Sequence, residues 1–86
     1  MFDVGEAVMP TVLRSGPYRI FFFAADGNEP PHVHVERESK KAKVWLAPVR
    51  SQESGGYGGP ELNRIISLIE EHQERLLGAW YDFFND

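Results

Sequence analysis

Two histidines, His32 and His34, stand in the run Pro30-Pro31-His32-Val33-His34-Val35-Glu36, and no other stretch of the 86 residues gathers as much reactive chemistry. Alternating polar and apolar residues describe a β-strand, whose neighbours point to opposite faces. Val33 and Val35 then share one face, while His32, His34 and Glu36 share the other. Two imidazoles so placed lie about 7 Å apart at Cα, from two strand rises. Tilted together they can hold one divalent metal, which usually takes three protein ligands, or four in a structural zinc site. Glu36 continues the row but lies too far along it to converge easily. Asp26 and Glu29, in the loop before the strand, are the more flexible donors.

The same face carries the residue types for acid–base cleavage of RNA. That chemistry needs an acid and a base that titrate near neutrality, and cations for the phosphate. His32, His34 and Glu36 supply the first, and Lys41 and Lys43 the second. Trp45, with Phe21 and Phe23, offers rings on which bases stack. A plainer reading competes with both: the histidines pack beside Trp45 on a half-exposed sheet, and the lysines keep a hairpin soluble. The net charge of −4 argues against long-range attraction of nucleic acid. It is unevenly placed, with seven Lys/Arg against six Asp/Glu in residues 1–50 and two against seven thereafter.

Other chemistries are excluded or weakly signalled. There is no cysteine, which rules out disulfides and thiol catalysis and fits a reducing cytoplasm. No Ser-His-Asp constellation or nucleotide fingerprint is present. The glycine-rich run Ser51 to Gly59 is not followed by Lys-Ser/Thr, so it reads as a flexible loop rather than a phosphate cradle. The N-terminus does not have the pattern of a signal peptide, and no apolar run approaches the roughly 20 residues of a membrane span. The expectation is a cytoplasmic protein with no membrane partner.

The elements that position the histidines can be read in order. At 86 residues, 42% hydrophobic and with eleven aromatics, the chain is expected to form one small domain. Residues 1–8 read as an N-terminal extension and 9–86 as the domain. Thr11–Arg14 and Tyr18–Ala25 read as strands joined at Ser15-Gly16-Pro17, and the second is apolar on both faces. His32–Arg37 and Lys41–Leu46 form a hairpin. A one-residue slip would bury two lysines, so Val33, Val35, Ala42, Val44 and Leu46 take the inner face. From Pro60 to about Phe84, Leu62, Ile65, Ile66, Ile69, Leu76, Trp80 and Phe83 recur at helical spacing. His72 falls on that stripe and reads as a core-edge histidine held by a hydrogen bond. Such a helix would be roughly 37 Å long. Its aromatic end either overhangs the sheet or bends back at Gly78. The fold class is α+β: a mainly antiparallel sheet of about four strands on one long C-terminal helix, with the histidine row on the opposite, open face.

Four segments in order, Met9 to Arg19, Pro30 to Glu36, Ala42 to Val49 and Glu61 to Trp80, resemble the small bacterial domain of unknown function 4160 family. PPHVHVE is the most specific of them. The hallmark positions carry over onto Pro31, His32, His34, Glu61, His72 and Trp80. Residues 1–8 precede the usual family start, and Gly58 or Gly59 stands where the family often places a serine before the helix. The resemblance implies no established activity. It does imply frequent encoding beside a second small protein, an arrangement similar to toxin–antitoxin pairs. The leading expectation is therefore a protein–protein interaction module, as one half of such a pair would be, that uses Trp80, Phe83 and Phe84 on a small partner encoded nearby or on a second copy of itself. The alternative is an RNase-like or metal-dependent phosphodiesterase on the His32/His34 face. His32, His34 and Glu36 would be catalytic, and Lys41, Lys43 and Trp45 would bind RNA. No cofactor is required by the first reading; the second allows a divalent metal on His32 and His34.

Overall fold

The computed structural model describes residues 11–84, so the expected extension over residues 1–8 lies outside the described residues. Five strands, β1 (Leu13–Ser15), β2 (Tyr18–Phe21), β3 (His32–Arg37), β4 (Lys40–Leu46) and β5 (Val49–Glu53), are followed by helices α1 (Gly59–Glu71) and α2 (Gln73–Phe84). The strands form one antiparallel meander in chain order, and a 3₁₀ turn, Ala24–Asn28, lies between β2 and β3. The α+β class is thus present, with one more strand and one more helix than the apolar pattern counts.

Cross-strand register sets the core. Leu13 pairs with Ile20, Ile20 with Val35, Val35 with Ala42, and Val33 with Val44. These side chains form one buried layer against Ile65, Ile69, Leu76 and Trp80 of the helices. The valines of β3 do look toward the helices, as alternation requires.

The fifth strand occupies part of the expected flexible loop. Its side chains are half-buried at Val49 and exposed from Arg50 to Glu53, so no apolar alternation announces it. Backbone pairing to β4 after the tight Ala47-Pro48 turn makes it a strand. Its polar surface suits an outer edge. The helical segment is interrupted at His72, not at Gly78. His72 Nδ1 lies 3.3 Å from the Leu68 carbonyl, within the ladder that would otherwise run straight through. A side chain inserted there is a recognised cause of a break.

Two polar clamps fix the layers. Glu61, in the first turn of α1, accepts two 2.8 Å hydrogen bonds from the Arg37 guanidinium and one of 2.7 Å from Tyr18. Arg37 and Tyr18 hold its carboxyl below the usual carboxylate range. On α2, Gln73 donates to the Leu46 carbonyl at 2.7 Å. Among the described residues, no helix is long and apolar enough to cross a membrane.

Candidate metal centre

The 3₁₀ turn delivers Asp26 to the start of β3. Asp26 Oδ2 accepts the Phe23 backbone N–H at 2.8 Å, which closes the turn and fixes the carboxylate. The same oxygen accepts a hydrogen bond from His34 Nε2 at 3.1 Å and lies 3.2 Å from His32 Nε2. All three donor atoms fall within 4.8 Å of one another. Tetrahedral zinc with bonds of about 2.0–2.1 Å places neighbouring ligand atoms roughly 3.3 Å apart. The spacings from Asp26 to each histidine match that requirement, and the third, between the two imidazoles, is no more than 4.8 Å.

The alternation of β3 predicts an exposed imidazole at position 32, and the structure corrects this: His32 is fully buried. Cover, not register, is the cause. The His32 ring packs edge-on against Trp45 across the hairpin, with centroids 5.6 Å apart. Trp80 reaches it from α2 at 5.1 Å. His32 Nδ1 is 2.9 Å from the Pro30 carbonyl. A carbonyl only accepts, so the proton sits on Nδ1 and the Nε2 lone pair faces Asp26. That Nε2 is a buried polar atom with no hydrogen-bond partner, because its contact with Oδ2 is close but not aligned for one.

His34 is the more open donor. Its side chain is 14% exposed and that of Asp26 17%. Burial holds the His34 imidazole below its ordinary range, against the opposing pull of Asp26. Burial thus favours the neutral imidazole, the form that binds metal. Phe21 and Phe23 flank it, with ring centroids at 5.5 and 4.9 Å.

The remaining sequence-derived residues have other engagements. Glu36 pairs with Arg19 at 3.1 Å and stands outside the cluster. Glu29 takes Lys43 at 2.6 Å and is 3.8 Å from His32 Nδ1, the nitrogen turned away from Asp26. Trp45 donates its indole N–H to Gln52 at 3.0 Å and walls in His32. Lys41 stands over Phe23 and Phe21. At the end of α2, Trp80 is buried and Phe84 stacks on it, while Phe83 and Tyr81 are exposed. The orienting groups, the Phe23 N–H and the Pro30 carbonyl, belong to the backbone and leave no signature in residue types.

A family model described as Domain of unknown function (DUF4160) matches residues 18–81, a span that contains every donor of the cluster. No curated protein and no solved structure matches the chain.

Proposed function

The chain belongs to the DUF4160 family, a description that names no activity, and from that premise we propose that it binds one divalent ion of the zinc class through Asp26, His32 and His34. One observation carries the reading: a fully buried imidazole nitrogen with no hydrogen-bond partner, aimed at a carboxylate 3.2 Å away. Leaving a buried polar atom unpaired costs about 1–3 kcal/mol. A proton on Nε2 would not relieve this, since the alignment with Oδ2 is poor. An ion between the three donors would. The Pro30 carbonyl behind His32 and the Phe23 N–H behind Asp26 supply the outer contacts that metal ligands normally have.

Three protein donors leave a fourth position, on the side where His34 and Asp26 meet solvent. An ion held by Asp26, His32 and His34 would supply Lewis acidity, the chemistry of metal-assisted hydrolysis. Isothermal titration of the metal-free, untagged protein with zinc tests the site. One equivalent is expected for the native protein and none for the His34→Gln variant. Absence of a stoichiometric heat in the native chain would refute the proposal.

A second reading is favoured by Tyr81 and Phe83, which are 51% and 43% exposed on α2. Large apolar side chains left outside a small domain favour protein docking. In that reading the protein is an interaction module, and half of a toxin–antitoxin-like pair if its partner is encoded beside it. Co-purification with the product of the adjacent gene, lost in Tyr81→Lys with Phe83→Lys, is the check.

A further inference from the structure

Of the three lysines of β4, Lys41 and Lys43 share a face yet have different company. Lys43 is neutralised by Glu29 at 2.6 Å. Lys41 faces Glu36 across the hairpin, but Glu36 is taken by Arg19. Lys41 has no ion-pair partner among the described residues. Its ammonium instead lies 5.3 Å from the centroid of Phe23 and 5.9 Å from that of Phe21. These are the two rings that flank His34. The cation therefore lies against the rings that border His34, the more exposed of the two imidazoles. The other, His32, is closed in by the Pro30 carbonyl, Trp45 and Trp80.

Charge complementarity then names the ligand. Imidazole binds a metal in its neutral form, so a divalent ion beside Asp26 would leave one positive charge, and Lys41 adds a second. The neighbouring charges, Lys43 with Glu29 and Arg19 with Glu36, cancel in pairs. A surface carrying two positive charges beside aromatic rings suits a dianion with several oxygens, one for the ion and one for the ammonium. Metal and lysine together form the common clamp on a phosphoryl group.

We infer that Lys41 and the open side of the metal site together form a phosphate subsite, so that the ligand class of this protein is a phosphate ester. The inference rests on the metal reading above. The ester's terminal phosphate sits beside His34, and its organic part lies along Phe23.

Cobalt(II) in place of zinc tests both levels separately, because its visible spectrum reports the ion and any oxygen added to it. Cobalt-loaded native protein is titrated with inorganic phosphate, then with acetate. Phosphate is expected to change the spectrum saturably, and acetate far more weakly. Lys41→Gln is expected to weaken phosphate binding about tenfold, as for loss of a charged hydrogen bond. Cobalt affinity should stay unchanged in that variant, and Lys43→Gln should retain native phosphate affinity. A phosphate response equal in native protein and Lys41→Gln overturns the inference while the metal site stands. Acetate binding as tightly as phosphate overturns the ligand class. No cobalt spectrum in the native protein removes the metal site and the inference with it.

Discussion

The His32 imidazole is fixed at one nitrogen and unpaired at the other, and that asymmetry separates it from a histidine that merely fills the core. A packing histidine tolerates replacement by a side chain of similar shape; a ligand does not. Asp26→Asn keeps an oxygen for the Phe23 N–H but removes the anionic donor. Zinc affinity measured by titration should fall well beyond the roughly 10–100-fold cost of losing an outer contact, with the fold intact by circular dichroism. A second prediction concerns Glu61, whose carboxyl Arg37 and Tyr18 hold below its ordinary value of about 4.5. A depressed folded pKa means the unfolded state binds the proton more readily, so stability rises with pH in that window. The contribution is fully present above about pH 4.5 and is lost as pH falls through the folded value. Urea midpoints should therefore favour the native protein over Glu61→Gln at pH 6, and the gap should narrow steadily below pH 4.5. A gap that does not depend on pH would show that the clamp acts through shape alone.

At the scale of elements, glycines mark where backbone and site meet. Gly55 has φ +65°, and a Cβ there would fall on the Lys41 carbonyl. Gly55→Ala should destabilise by more than the roughly 1–3 kcal/mol of ordinary overpacking, read from chemical denaturation. Gly78 is the contrary case. It lies inside α2 with nothing near its Cβ position, so Gly78→Ala should raise stability by about 1 kcal/mol. The hairpin and the buried stripe of the helices are legible because burial on one face imposes a period on residue type. The fifth strand is not, because Arg50 to Glu53 are exposed and nothing in their types marks pairing. The break at His72 is equally hidden, since it arises from a side chain contacting its own helix. The site was half legible. His32 and His34 announce themselves by spacing, but Asp26 is one of several acids near the strand, and only the 3₁₀ turn selects it over Glu29 and Glu36.

Across the whole molecule, the aromatic end of α2 divides between an inward and an outward set. Trp80 and Phe84 turn inward, where Phe84 packs against Gly27 in the turn that carries Asp26. Tyr81 and Phe83 remain outside. Replacing the outer pair should leave zinc titrations unchanged, whereas Phe84→Ala should weaken zinc binding by loosening the turn. The donors themselves all come from the nine residues between Asp26 and His34. An ion held there closes only a small ring of chain and ties no remote segments together. The denatured polypeptide would keep the same three side chains within easy reach and would retain part of the proposed affinity. Mass action at a hundredfold excess over Kd gives about 2.7 kcal/mol only when the unfolded state binds nothing. The melting temperature should accordingly rise less on loading than the dissociation constant alone would require, and excess chelator should strip the ion without unravelling the sheet.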